Sequence, residues 1–136
     1  MSDGNGKPPV ASAVIVQDGR LLLARRREQE GTVLWALPGG AVEAGESAEQ
    51  AAVREALEET GLTVEARRFL GERVHPATKR HMAYVACDVI AGTARIGDPE
   101  EHDAVEWVPI GELGEYVPFG FFEPVQEHLN AALAAR

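Results

Sequence analysis

Hydrophobic and polar positions divide the chain into short apolar runs separated by turn chemistry. Val10 to Val16 is a β-rich apolar run, followed by the hairpin signal Asp18-Gly19, where glycine tolerates positive φ. Leu21-Leu22-Leu23-Ala24 reads as the returning strand, ended by Arg25-Arg26-Arg27, with Glu28 to Gly31 as a polar loop. Val33 to Leu37 is a short strand stopped by Pro38-Gly39-Gly40. The clearest helix follows. Ser47 is a good N-cap, Gln50 completes a capping-box pattern, Ala48 to Thr60 holds mostly strong helix formers, and Gly61 is a natural stop. Val64 to Val74, His81 to Ile90 and Ala104 to Val108 read as strands, with a Gly/Asp/Glu-rich loop over Gly92 to Asp103 and a helical turn at Pro109 to Leu113. Val125, Leu129, Ala132 and Leu133 recur at helical spacing and predict a last helix from Glu123 to Ala134. Many strands and two widely separated helices predict an α/β (α+β) fold, a mixed sheet with helices on its faces.

No repeat or linker divides the chain, so residues 10–136 read as a single domain after a Gly- and Pro-rich disordered tail at 1–9. No run of roughly 18 apolar residues and no signal-peptide core is present, which predicts a soluble cytoplasmic protein without membrane partners. Cys87 is the only cysteine, in a strand-like context that suits a buried, inert thiol. With 13 Lys+Arg against 22 Asp+Glu, the net charge of -9 disfavours general nucleic-acid binding. It does not exclude phosphate substrates, because clustered carboxylates can hold divalent cations that in turn hold phosphates.

The central helix carries such a cluster. On a helical wheel with Arg54 at about 0°, Glu58 falls near 40°, Glu55 near 100° and Glu59 near 140°. Ala56, Val53 and Leu57 fall near 200°, 260° and 300°. This predicts an apolar face turned inward and a separate carboxylate face. Three close carboxylates repel unless neutralised, and a hard cation such as Mg²⁺ prefers oxygen ligands.

Gly40, five residues, Glu46, seven residues, then Arg54-Glu55-Ala56-Leu57-Glu58-Glu59-Thr60-Gly61-Leu62 resembles the Nudix box, here residues 40–62, with every fixed position filled. The resemblance implies an α/β/α sandwich and hydrolysis of a nucleoside diphosphate linked to another moiety, with Mg²⁺ or Mn²⁺ as cofactor. It implies Glu55, Glu58, Glu59 and the Gly39 carbonyl as metal ligands. Arg54 would orient the glutamates, and Glu46 would support the loop–helix geometry. In similar enzymes a glutamate before the strand bearing Trp107 completes the metal site; Glu101 is the first choice and Glu100 the second. Glu55, Glu58 and that distant glutamate are all candidates for the general base. An arginine at the end of the second strand touches substrate phosphate in similar enzymes. Arg25 and Arg27 would share one strand face, with Arg25 preferred. Homodimers are common among similar proteins.

Substrate choice lies outside the box. Tyr84, on the strand beginning at Arg80, is placed to line a pocket, and Phe119 and Phe122 are placed to stack on a base. The four histidines show no metal-ligand spacing. Glu123-Pro124 resembles the segment with which MutT-type members read an oxidised purine, but Phe122 stands where they carry asparagine, which argues against 8-oxoguanine selectivity. The expected substrate is therefore a (d)NTP or NDP, as for a MutT-like pyrophosphohydrolase. The alternative is ADP-ribose or a nucleotide sugar, supported by Pro76, 14 residues past Leu62. The reading from another class is a non-catalytic nucleotide sensor, which the filled glutamate positions disfavour.

Overall fold

The computed structural model describes residues 7–30 and 33–134. Its strands are β1 Val10–Gln17, β2 Arg20–Glu30, β3 Val33–Ala36, β4 Gly39–Ala41, β5 Thr63–Val74, β6 His81–Ala91 and β7 His102–Pro109. The helices are α1 Ala48–Thr60 and α2 Glu123–Ala134, with a short 3-10 helix at Ile110–Glu115. Asp18 and Gly19 both take positive φ, the geometry a tight hairpin needs between β1 and β2.

The sheet runs β3-β2-β1-β6-β5, with β4 added beside β1 and β7 beside β2. Only the β1–β6 pair is parallel, so the sheet is mixed, as expected. β1 is buried on both faces. Ala11, Ala13 and Ile15 pack under α1 with Ala51, Ala52 and Ala56, while Val14 packs under α2 with Val125 and Leu129. Two clusters on opposite faces of one sheet make the α/β/α sandwich.

The sheet opens between β1 and β2. They pair only near the hairpin, at Val16↔Leu21 and Gln17↔Arg20. The same edge of β1 pairs farther back with β4, at Val10↔Ala41 and Ser12↔Gly39. The chain crosses this opening at Pro38, whose carbonyl accepts the Ala13 N–H at 2.8 Å. Pro38-Gly39-Gly40 is therefore the entry to a strand, where the sequence suggested a loop. A Cβ at Gly39 would lie 2.3 Å from the Ala11 carbonyl oxygen, so only glycine lets β4 come this close to β1.

Several local expectations change. β2 does not end at the arginines but runs on to Glu30: β7 supplies partners as far as Arg26↔His102, the Arg27 N–H donates to the Glu101 carbonyl, and β3 pairs at Glu30↔Val33. Gly31 of the expected loop lies outside the described residues. Residues 1–6 of the expected tail also lie outside them, whereas Pro8 and Pro9 are tied down: their carbonyls accept from Arg80 Nη2 and from Val42 N–H. The inward face of α1 is also shifted. Ala51, Ala52, Ala56, Glu59 and Thr60 are buried, and Leu57 is 51% exposed. Small alanines bring α1 close to Ala11 and Ala13, and the buried arc is centred near Ala52 and Glu59. The expected apolar face of Ala56, Val53 and Leu57 is centred on Val53, so it is rotated from the buried arc and takes in the exposed Leu57.

The ends of α1 are well defined. Ser47 and Gln50 form the reciprocal capping box, at 2.8 and 3.0 Å, and such a cap contributes about 1 kcal/mol. Gly61 closes the helix in the left-handed conformation. The segment after β6 completes the C-terminus. Arg95 N–H donates to the Thr60 carbonyl and Gly97 N–H to the Glu59 carbonyl, at 2.9 and 2.8 Å. These bonds satisfy carbonyls that a helix end leaves open.

Gly97 allows that closure, since a Cβ there would lie 2.1 Å from the Glu58 carbonyl oxygen, a backbone atom that cannot swing aside. Gly97→Ala is expected to destabilise the fold by about 1–3 kcal/mol in urea unfolding. Gly111→Ala, which meets nothing within 4 Å, should stay within about 0.5 kcal/mol. Equal effects of the two substitutions would contradict the close approach.

Candidate active site

Arg54 is the hub of the carboxylate cluster. Its Nε donates to Glu46 at 2.8 Å, Nη1 to Glu55 at 2.8 Å and more loosely to Glu58 at 3.3 Å, and Nη2 to Glu46 and to the Ala41 carbonyl, both at 3.0 Å. One planar cation thus fixes the β4–α1 loop and two helix carboxylates together. Glu46 also accepts the Glu43 N–H, and the two interactions hold its carboxyl down at about 2.

Glu59 lies on the buried side of α1, only 7% exposed. Its Oε1 accepts the Gly39 N–H at 2.9 Å, joining helix to β4. Burial pushes its carboxyl up to about 8, against that hydrogen bond and with added repulsion from Glu55 and Glu101. Glu55 is also raised by burial, with Arg54 opposing and Glu58 and Glu101 reinforcing the shift. Gly40 leaves room for it, since a Cβ there would lie 2.5 Å from the Glu55 carboxylate. Glu58 is the most exposed of the three. Glu101 acts electrostatically on both Glu55 and Glu59, whereas Glu100 figures in neither shift. The Arg27 N–H bond to the Glu101 carbonyl holds that loop against β2.

Among the described residues, no three carboxylate, histidine or cysteine side chains already stand as a metal-holding group. Arg54 engages Glu55 and Glu58 instead. The donor chemistry nevertheless fits a hard divalent cation. All the side-chain donors are carboxylate oxygens, and two of them are raised by burial and mutual repulsion, a condition that added positive charge relieves.

A cavity of about 450 Å³ opens on the α2 face of the sheet, within the range of small-molecule sites. Tyr84, Phe119 and Phe122 line it, as expected; Glu123 and Arg25 do not. Arg25 instead pairs with Asp103 at 2.6 Å and lies 5.6 Å from the centre of the Trp35 ring. Its neighbour Arg26, set off from it by an irregularity in the β2–β7 pairing, lines the cavity and acts electrostatically on Glu59. Gly39 lines the cavity as well. Gly39 and Arg26 are therefore where the cavity meets the carboxylates. Sequence reasoning ranked Arg25 first because strand alternation does not say which face a run of arginines turns to the ligand.

Arg73, Trp35 and Tyr116 also line the cavity and were not singled out from the sequence. No motif marks them, although Arg73 falls within a predicted strand. Pro76 and Phe119, treated as rival pocket regions, border the same cavity. Cys87 is buried and pushed up to about 12, which leaves it an inert core thiol. No helix among the described residues is long and apolar enough to cross a membrane.

Comparison with known proteins agrees with this arrangement. A family model described as the NUDIX domain matches residues 6–130. The chain is 36% identical over 102 residues to a putative 8-oxo-dGTP diphosphatase of Bacillus subtilis, covering 74% of this chain and 64% of that protein. It is 33% identical over 130 residues to the CTP pyrophosphohydrolase of Escherichia coli, covering 93% and 94% of the two chains. An ADP-ribose pyrophosphatase structure from Streptococcus suis superposes with a TM-score of 0.70 at 25% identity, covering 90% of each chain. The chain spans less than two thirds of the length of several curated relatives that it matches. The match runs through both faces of the sandwich and through the whole glutamate-bearing loop and helix, and on it the chain belongs to the NUDIX domain family.

Proposed function

We propose that the protein hydrolyses a phosphoanhydride bond in a nucleoside diphosphate linked to another moiety, with Mg²⁺ or Mn²⁺ as cofactor. A (d)NTP or NDP is the favoured substrate. The observation that carries this reading is the junction at Gly39, where a cluster of buried carboxylates meets an aromatic-lined cavity. Glu55, Glu58 and Glu59 would hold the cation, with Glu101 and the Gly39 carbonyl completing the set. The bound cation supplies charge neutralisation on the phosphate oxygens and a more acidic water.

The chain's own residues do the rest. Arg54 orients Glu55 and Glu58, and the Gly39 N–H orients Glu59. Arg26 is the cation placed to meet a phosphate entering from the cavity. Water attacks phosphorus, its proton passes to a carboxylate of the cluster, and the anhydride P–O bond breaks to leave two phosphate-bearing products. Tyr84, Phe119 and Phe122 provide aromatic surface for the base. Because Pro76 borders the same cavity, ADP-ribose or a nucleotide sugar is the second substrate class.

A phosphate-release screen with Mg²⁺ and with Mn²⁺ tests this. The panel holds (d)NTPs, NDPs, ADP-ribose, nucleotide sugars and dinucleoside polyphosphates, with phosphatase added where the product is a monoester. Turnover of a nucleotide that stops on chelation is expected; activity surviving excess chelator would overturn the metal requirement. Glu59→Gln should lower kcat by at least roughly 100-fold, because the side chain keeps its Gly39 bond but loses its charge. Wild-type kcat in that variant would remove Glu59 from the site.

Stability supplies an independent check. Glu59 binds its proton more tightly in the folded protein than the ordinary value of 4.5 allows, so this group's contribution is full below about 4.5 and is lost as pH rises to about 8. In chelator, the melting temperature of Glu59→Gln relative to wild type should therefore rise between pH 5 and pH 8.5, by about 3 °C or more. A difference that does not change with pH would show that the carboxylate titrates normally.

A further inference from the structure

Arg26 and Arg73 both line the cavity, and the proposed reaction uses only Arg26. Arg73 lies on β5, and β5, β6, β1 and β4 form a row across the sheet: Gly71 pairs Tyr84, Tyr84 pairs Ser12, and Ser12 pairs Gly39. Three strand spacings separate Gly71 from Gly39, about 14 Å. Arg73 is two residues along from Gly71, on the same face, so it stands at the far end of the cavity from the carboxylate junction. A ligand with its phosphates at Gly39 and Arg26 would present its other end to Arg73.

The guanidinium is held there without a carboxylate. Its Nε donates to the Tyr84 hydroxyl at 3.2 Å. Its central carbon lies 5.1 Å from the Phe122 ring centre and 5.8 Å from that of Tyr84, within cation–π range. No carboxylate among the described residues forms an ion pair with it. Phe122 is seated by Gly71, whose missing side chain leaves its ring 3.1 Å from where a Cβ would be. The aromatic wall and the Tyr84 hydroxyl thus hold a fork whose remaining N–H groups are on the two terminal nitrogens. Those groups donate only. They complement two adjacent acceptors in one plane, and they clash in hydrogen-bond sense with an acceptor beside an N–H.

We propose that Arg73 selects the base, taking the adjacent acceptors of guanine (N7 and O6) or cytosine (O2 and N3). This rests on the nucleotide-hydrolase reading above and specifies its substrate class. Adenine sets an amino group beside N7, and uracil sets an N–H between its carbonyls, so both are disfavoured. Oxidised guanine with a C8 carbonyl carries a proton on N7 and loses the acceptor pair, so it is disfavoured relative to guanine.

The test compares kcat/KM for GTP, CTP, ATP and UTP, and for dGTP against 8-oxo-dGTP, in wild type, Arg73→Lys and Arg73→Met. Wild type should favour GTP and CTP by roughly tenfold or more, and dGTP over its oxidised form. Both variants should bring these ratios toward one, because lysine keeps the charge but not the fork. Melting temperatures of both variants confirm that they are folded. A wild type without that preference, or a preference surviving both substitutions, would overturn the proposal. An equal loss on every nucleotide would also overturn it and assign Arg73 to phosphate. If no nucleotide is hydrolysed with either metal, the parent reading fails but this one is still decided by calorimetry with GMP, CMP, AMP and UMP. Tighter GMP and CMP binding that Arg73→Lys abolishes would support it; equal or absent binding of all four would refute it.

Discussion

The hydrogen bond from the Gly39 N–H to the buried Glu59 carboxylate is the contact on which the rest of the site depends. It ties α1 to β4 across the opening of the sheet. It also places a carboxylate where solvent can no longer stabilise its charge, so the group is pushed up to about 8. A protein evolved only for stability would put an apolar side chain here, among Ala51, Ala52 and Ala56. The fold instead keeps a carboxylate there, held by the Gly39 N–H and favoured electrostatically by Arg26, beside a neighbouring Glu55 that Arg54 holds. This is the pattern expected where a buried carboxylate has work to do.

That bond goes with close backbone packing around the second half of α1. Gly39 and Gly40 remove the side chains that would push β4 off β1 and Glu55 out of its place. Gly97 packs against the Glu58 carbonyl and donates to the Glu59 carbonyl. The side chain of Arg95 lies over Gly61, adding positive charge where the helix dipole is negative, since the last turn of α1 holds no basic residue. The loop between β6 and β7 therefore does two things. It finishes α1, and a few residues later it brings Glu101 within electrostatic reach of Glu55 and Glu59.

The site's legibility in the sequence follows from range. Ser47, Gln50, Arg54 and the three glutamates interact within one loop and one helix, so their spacing alone encoded the hub. The β1–β2 hairpin, α1, α2 and the two-faced sandwich were readable for the same reason. The orientation of α1 was not, because it is set by how closely Ala51, Ala52 and Ala56 approach Ala11 and Ala13, a tertiary property that a wheel ranked by hydrophobicity misplaces onto Leu57. Arg26 was passed over for Arg25 because the sense of a strand's two faces comes from what covers them. The continuation of β2 through its arginines is not legible because β7, which pairs it as far as Arg26↔His102, lies far along the chain.

The cavity shows the same division more strongly. Its surface is assembled from β1, β3, β5, β6 and the segment before α2, and its rows are defined by pairings such as Gly71↔Tyr84 and Ser12↔Gly39 that join distant parts of the chain. No local pattern can announce such a row. Chemistry and specificity are thus encoded differently in this domain. The carboxylates of α1 belong to a continuous segment whose members hold one another through Arg54. The recognition surface lies mainly on the opposite face and touches that centre at Gly39 and Arg26, so its residues can vary one at a time without disturbing Arg54 or Glu59. Relatives named for an oxidised purine nucleotide, for CTP and for ADP-ribose are what such an arrangement allows: one hydrolytic segment beneath an interchangeable wall. In this chain that wall carries an aromatic pair and one arginine fork, Tyr84 and Phe122 with Arg73, set apart from the box.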